Sequence, residues 1–266
     1  MERELTATAR AAAAAGAGVL RGLWGRELTV ESKSSFDFVT NADRLSQAAV
    51  LATIRARHPD HAVLAEEDAG DQPPPEARAG VLWVVDPLDG TTNFIHGFPH
   101  VAVSVAALLD GRPVVGVVAD VTKAEEFWAV AGGGAWLGEK RLRVSPQADP
   151  ALCLLHTGFP FRDKARLETY LALFAELFGQ VSGVRRAGAA ALDLAYVAAG
   201  RGEGFWEMGL QPWDLAAGIL LVAEAGGVVS DFDGGGRSLW RGDVVAANPA
   251  LHGLIQAACG RWFPGG

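Results

Sequence analysis

The stretch Trp83-Val84-Val85-Asp86-Pro87-Leu88-Asp89-Gly90-Thr91-Thr92-Asn93-Phe94 decides how the rest of the chain is read. Val81 to Val85 is an apolar run whose β-branched content reads as a buried strand. It breaks abruptly at Asp86-Pro87-Leu88-Asp89-Gly90. Two carboxylates, Asp86 and Asp89, therefore leave the end of a buried strand, and Pro87 restricts the backbone between them. Hard oxygen ligands of this kind suit Mg²⁺, Mn²⁺ or Ca²⁺ rather than zinc. Gly90-Thr91-Thr92 follows at once, where a helix can open, and the free N–H groups of a helix N-terminus hold phosphate. The competing reading is a solvated turn, for which DPLDG is a good sequence.

Outward from this stretch the pattern differs on the two sides. Upstream, the Ala-rich run Ala11 to Leu20 predicts an N-terminal helix, because Ala is the best helix former. Thr40-Asn41-Ala42-Asp43 resembles a capping box that opens a second helix over 43–57, stopped by His58-Pro59. Val63 to Ala65 is a short apolar run ending at Glu66-Glu67, and the segment around Pro73-Pro74-Pro75 is a loop. Downstream, strands are predicted at 101–109, 114–119, 127–130, 135–137 and 142–144, joined by turns such as Asp110-Gly111-Arg112-Pro113. That succession is a meander, hence an antiparallel sheet.

After about Ser145 strands and helices alternate. Strands are expected at 152–156, 228–230 and 244–246, and helices at 166–178, 189–199, 214–225 and 249–259. Leu167, Tyr170, Leu171, Phe174 and Leu177 form the predicted apolar stripe of the first of these helices. The spacing thus divides the chain into an antiparallel half, 1–145, and an α/β half, 146–266, with no flexible linker between them. One rigid unit is expected.

Of 266 residues, half are hydrophobic and a fifth charged, which excludes a disordered chain. Twenty-three basic against 31 acidic residues give a net charge of −8, which argues against general binding of nucleic acid or anionic membranes. An anionic small substrate stays open, since a bound metal reverses the local potential. Cys153 and Cys259 stand far apart in no metal-binding or redox spacing, so a reduced, cytoplasmic setting is the expectation. No apolar run reaches membrane-span length, and Glu2 and Glu4 spoil a signal-peptide start.

Three further acidic features add weight to the metal reading. Glu66-Glu67 follows its own short strand, Asp43 sits near the start of the second helix, and Asp214 lies in Trp213-Asp214-Leu215-Ala216-Ala217-Gly218. Alone, Asp214 reads as a helix N-cap. Together these residues carry a family resemblance. WVVDPLDGTTNFIHGFP (83–99) resembles the first signature of the inositol monophosphatase family, and WDLAAGILLVAEAGG (213–227) resembles its second. Glu66-Glu67 occupies the place of that family's GEE-type segment, with Ala65 for the usual Gly. Gly188-Ala189-Ala190 and Trp206-Glu207-Met208-Gly209 look like its substrate-side segments.

The resemblance implies a layered αβαβα sugar-phosphatase fold and a Mg²⁺-dependent, lithium-sensitive phosphomonoesterase. By motif, Glu66, Asp86 and the carbonyl of Leu88 would hold a first Mg²⁺, and Asp86, Asp89 and Asp214 a second. A third, weaker ion would sit near Glu66. Mn²⁺ is the expected substitute, and Li⁺ and Ca²⁺ the expected inhibitors. A metal-activated water would attack the phosphorus directly, with Thr91, hydrogen-bonded to Asp43, helping to take its proton. The N–H groups of Gly90, Thr91 and Thr92 would bind the phosphate. Asp89, Gly188, Ala190, Glu207 and Asp214 would meet a polyol.

The resemblance favours myo-inositol monophosphate as substrate, with fructose 1,6-bisphosphate next; Arg185 or Arg186 is the candidate for its second phosphate. A homodimer is implied as well. An alternative of another class is a protein-binding factor associated with the transcription machinery, without direct nucleic-acid binding. His96 and His100 read as structural or surface residues, Trp83 and Trp213 as packing walls, and Cys153 as core. Lys33, before Ser34-Ser35, reads equally as part of a metal-associated loop or as a surface residue.

Overall fold

The computed structural model describes residues 1–34, 37–69, 79–160 and 163–265. The expected loop at Pro73–Pro75 and the residue Ser35 lie outside the described residues. Helix α1 (Glu2–Leu23) leads into strands β1 (Val30–Ser34) and β2 (Asp37–Thr40), a small antiparallel pair, and then helix α2 (Asn41–Arg57). The capping box that opens α2 is complete: Thr40 accepts from the Ala42 N–H, and Asp43 accepts from the Thr40 N–H. The two helices pack closely because Gly16 leaves room; a Cβ there would sit 2.8 Å from Ser46 Oγ and from Val50 Cγ2.

A seven-stranded sheet follows, made of β3 (Ala62–Ala65), β4 (Val81–Asp89), β5 (Ala102–Leu109), β6 (Arg112–Asp120), β7 (Glu125–Val130), β8 (Gly134–Leu137) and β9 (Lys140–Arg141) in that spatial order. From β4 onward it is the predicted antiparallel meander, and β3 adds to its edge in parallel. The β5–β6 turn is tighter than the sequence suggests. Asp110 and Gly111, at φ 49° and 80°, make it alone, as a two-residue turn with both central residues left-handed. The expected strand at 142–144 is absent: Leu142 still donates to Ala135 O, but Val144 donates to Ala225 O, so the chain peels away from the sheet toward the second half.

The second half carries β10 (Leu154–Thr157), helix α5 (Leu167–Phe178), β11 (Gly183–Arg185), helix α6 (Ala190–Ala198), β12 (Gly204–Glu207), helix α7 (Pro212–Glu224), β13 (Val228–Ser230), β14 (Val244–Ala247) and helix α9 (His252–Trp262). Short helices α3 (Glu66–Ala69), α4 (Thr91–His96) and α8 (Ser238–Arg241) lie between the larger elements. The strands form a mixed five-stranded sheet in the order β11-β10-β12-β14-β13. The last helix starts at His252, so Pro249 precedes it instead of occupying its first turn.

Strand alternation sorts the side chains into layers. Trp83, Val85, Val103 and Val105 face one way and meet Leu5, Ala9, Ala12, Ala13 and Ile54 of α1 and α2. Leu82, Val84, Ala106 and Leu108 face the other way and meet α6 and α7. The far side of those helices meets Phe205, Val244 and Ala246. Trp206, Val245 and Ala247, one residue out of phase, face α5 and α9. The order is therefore helix, sheet, helix, sheet, helix: the αβαβα fold. On α5 the buried residues are Tyr170, Leu173 and Leu177, whereas Leu167 and Leu171 are exposed. The apolar stripe is thus rotated by a residue from the one read in the sequence, because α5 is apolar nearly all round and tertiary contacts choose the face.

Candidate active site

β4 does not stop at Asp86. It pairs with β5 through Asp86 and again at Asp89, with a register break at Pro87-Leu88 between them. Pro87 has no N–H to give a ladder, so a bulge is the only way to carry it inside a sheet. Its carbonyl is taken by Ser46 Oγ at 2.7 Å. The bulge aims both carboxylates at the end of the sheet, into a cavity of about 240 Å³.

Four carboxylates line this cavity from three elements: Asp86 and Asp89 from β4 and its bulge, Glu66 from the start of α3, and Asp214 from the first turn of α7. Asp214 is not an N-cap. Gln211 holds that place, and Asp214, three residues on, accepts from its N–H at 2.7 Å, completing a capping box. Asp86 Oδ1 accepts from the Leu88 N–H at 2.9 Å. Asp89 Oδ2 accepts from the Ala191 N–H at 2.8 Å, so it caps α6 from another strand, where the N-cap residue Ala189 has no side-chain acceptor of its own.

Burial pushes the Asp86 carboxyl well above the usual range, and the nearby charges of Glu66, Asp89 and Asp214 push it further. Burial and then Asp214 do the same to Asp89. Among the described residues no three His, Cys, Asp or Glu side chains are drawn into a closed ligand cluster; these four surround the cavity instead. As a donor set they are hard, anionic and mutually repelling, which fits a hard divalent cation and not a softer metal.

Beside the carboxylates, Gly90 at φ 94° turns the chain into α4, and Gly90, Thr91 and Thr92 all line the cavity. A Cβ on Gly90 would stand 3.0 Å from the His100 carbonyl, so a side chain there is excluded by both space and φ. Thr91 Oγ1 donates to Asp43 Oδ1 at 2.8 Å and lies 3.2 Å from the Leu88 carbonyl. Asp43 is fully buried and stands behind Thr91, not on the cavity wall. Burial raises its pKa, and hydrogen bonds from Thr40 and Thr91 oppose that rise.

On the opposite wall lie Gly188, Ala190 and Glu207. Glu207 ends β12 and is only 7% exposed, so it is a buried carboxylate on the cavity wall. Burial raises its pKa well above normal, helped by the charge of Asp193 and opposed by Arg186. Gly158 makes room for it: a Cβ there would fall 1.9 Å from Glu207 Oε1.

Glu66, Asp86, Leu88, Asp89, Gly90, Thr91, Thr92, Gly188, Ala190, Glu207 and Asp214 thus line one cavity, with Asp43 behind it through Thr91. Sequence reasoning missed Phe38, Asn93 and Leu210, which also line it. Asn93 Nδ2 donates to His100 O and Ala187 O, each at 2.8 Å, tying α4 to the segment before α6. Of the paired arginines, Arg186 lines the cavity and Arg185 does not. His96 is exposed, His100 is buried against Asp193, and Trp83, Trp213 and Cys153 are in the core. Lys33 lies in β1.

The sequence model of the inositol monophosphatase family matches residues 1–261. Among curated relatives, the protein named Nus factor SuhB of Pseudomonas aeruginosa is 49% identical over 251 residues, covering 93% of this chain and 92% of its own. Nus factor SuhB of Escherichia coli K12 is 49% identical over 223 residues, covering 82% and 81%. Among solved structures, the extragenic suppressor protein suhB of Bartonella henselae superposes with a TM-score of 0.88 at 37% identity, over 95% of this chain and 97% of that one. The inositol monophosphatase of Anabaena gives 0.83 at 37% identity, over 97% and 96%. The inositol monophosphate-bound SaIMPase-II gives 0.79 at 27% identity, over 95% and 93%. With the layered fold, the motif order and the cavity in agreement, this chain belongs to the inositol monophosphatase family.

Proposed function

We propose that the chain is a Mg²⁺-dependent phosphomonoesterase acting on a phosphorylated polyol, with myo-inositol 1-phosphate as the preferred substrate. The observation that carries this reading is the placement of Glu66, Asp86, Asp89 and Asp214 around one cavity, beside the Gly90–Thr92 helix start. These carboxylates and the Leu88 carbonyl would hold the metal. When bound, Mg²⁺ supplies a Lewis acid that makes a water more acidic and offsets charge on the phosphoryl and leaving oxygens. Mn²⁺ is the expected substitute, and Li⁺ and Ca²⁺ the expected inhibitors.

The chain's own groups do the rest. The N–H groups of Gly90, Thr91 and Thr92 hold the phosphate oxygens and fix the phosphorus in line for attack. Thr91 Oγ1 spends its proton on Asp43, so its lone pairs face outward to accept a proton from the attacking water; as it does, its own proton passes to Asp43. Glu66 assists at the same water. Glu207 accepts hydrogen bonds from polyol hydroxyls, with Gly188 and Ala190 leaving space for the ring.

Phosphate release from a panel of myo-inositol 1-phosphate, fructose 1,6-bisphosphate, histidinol phosphate, phosphoadenosine phosphate and NADP, with Mg²⁺ and with EDTA, tests this reading. Fastest Mg²⁺-dependent release from the inositol ester supports it. Fastest release from the bisphosphate keeps the chemistry and gives Arg186 the second phosphate. We further take the halves 1–145 and 146–266 as one unit, since α6 and α7 of the second half pack on the sheet of the first. A homodimer in the cytoplasm completes the proposal. No described helix is long and apolar enough to cross a membrane.

The relatives named Nus factor favour a second reading, association with the transcription machinery. The two are separable: Asp86→Asn abolishes hydrolysis but leaves a protein-binding role intact.

A further inference from the structure

Asp193 lies in the first turn of α6, 1% exposed. Its Oδ1 stands 3.0 Å from His100 Nε2 and 3.2 Å from His156 Nδ1, and both rings are buried. His100 Nε2 and Asp193 Oδ1 are hydrogen-bond partners, a geometry that suits the His100 tautomer with its proton on Nε2. The His156 contact lacks hydrogen-bond alignment, and neither nitrogen of that ring has another partner among the described residues. His100 lies between α4 and β5 of the seven-stranded sheet, and His156 lies on β10 of the other sheet. One carboxylate on the central helix layer thus bridges both sheets.

The same turn of α6 touches the candidate site. Its Ala191 N–H is the group that holds Asp89, and its own N-cap, Ala189, offers no side-chain acceptor. The His100 carbonyl accepts from Asn93 and abuts Gly90, where the phosphate cradle begins. Any slip of α6 against His100 therefore moves Asp89 and the Gly90 turn together.

We infer that Asp193 is a positioning residue: gripped by His100 and backed by His156, it fixes the first turn of α6 against α4 and so sets where the Asp89 carboxylate stands in the cavity. It touches neither substrate nor the reacting atoms. The inference rests on the metal-binding reading of Asp89.

The test follows the unfolding temperature of the full chain against Mg²⁺ alone, without substrate, alongside kcat and KM. Outer partners of metal ligands change metal affinity about 10–100-fold when removed, so Asp193→Leu is expected to raise the Mg²⁺ midpoint about tenfold. It lowers kcat by about the same factor, with KM changing less than about threefold. Asp193→Asn, whose Oδ1 still accepts from His100, recovers the midpoint to within about threefold. Leu173→Ala, in the core between α5 and the other face of the second sheet, lowers the unfolding temperature without moving the midpoint. If Asp193→Leu does not fold, His156→Leu carries the test, with an expected rise of about threefold. A wild-type midpoint in the variant that carries the test overturns the inference. Absence of any Mg²⁺ effect in the unaltered protein overturns the metal reading instead, so the two failures are distinct.

Discussion

Thr91 and Asp43, from the start of α4 and the first turn of α2, share a 2.8 Å hydrogen bond at the edge of the cavity. Asp43 has its other oxygen engaged twice by Thr40, from the N–H and the hydroxyl, each at 2.7 Å. It is therefore held rigidly, with one oxygen reserved for Thr91. Thr91→Val keeps the shape of the side chain and removes the relay. General-base help is worth about 10²–10⁴-fold, so kcat is expected to fall at least about a hundredfold, with KM changing less than about threefold. Steady-state kinetics on the inositol ester decides; an unchanged kcat would remove Thr91 from the chemistry.

Gly158 and Glu207 offer a way to alter substrate choice without touching the carboxylate cluster. The three atoms nearest a Cβ at Gly158 all belong to the far end of the Glu207 side chain, which swings aside more easily than backbone. Gly158→Ala is thus expected to fold, to raise KM for the inositol ester about tenfold, and to leave hydrolysis of p-nitrophenyl phosphate, which has no ring hydroxyls, within about twofold. Equal losses on both esters would take Glu207 out of polyol recognition.

Asp86 is expected to be a stability liability when metal is withheld. It is buried among like charges, and removing one of them relieves desolvation and repulsion together. In EDTA, Asp86→Asn should unfold later than the unaltered protein, by about 1–2 kcal/mol. With saturating Mg²⁺ the order reverses, because only the unaltered protein gains the binding energy, about 2.7 kcal/mol at a hundredfold excess over Kd. Chemical denaturation under both conditions reads this directly, and a variant less stable in EDTA would contradict it.

His58 sets an acid limit on stability remote from the cavity. Burial lowers its pKa from 6.5, with the nearby His61 acting in the same direction. The unfolded chain therefore binds this proton more readily than the folded one. Stability is complete above about pH 6.5 and falls as pH drops from there toward the depressed folded-state pKa, below which it levels off. His252, also lowered by burial, adds to the slope. His58→Gln, which keeps a group able to meet Thr8 Oγ1, should flatten part of this dependence. An unchanged pH slope in the variant would show that His58 does not set it.

Much of the fold was legible because its strands and helices are locally consistent. The Thr40–Asp43 capping box, the β-branched run at 81–85 and the meander after it each appear where the sequence puts them. What local pattern could not show was set by partners distant in sequence. Nothing in DPLDG says that β4 resumes at Asp89; that depends on pairing with Ala102. Val144 looks like strand but gives its N–H to Ala225. Asp214 looks like an N-cap until Gln211 is seen in that place. In the cavity, motif residues could be named individually, but Asp89 as the cap of α6, and Asp193 between two histidines, are relations across the two halves that no spacing encodes.

The most direct test of the central claim is phosphate release from myo-inositol 1-phosphate by the unaltered chain and by Asp86→Asn, each with Mg²⁺ and with EDTA. The account predicts rapid release only from the unaltered chain with Mg²⁺, at least about 10³-fold above the other three conditions. Equal release by Asp86→Asn, or release that persists in EDTA, would contradict it.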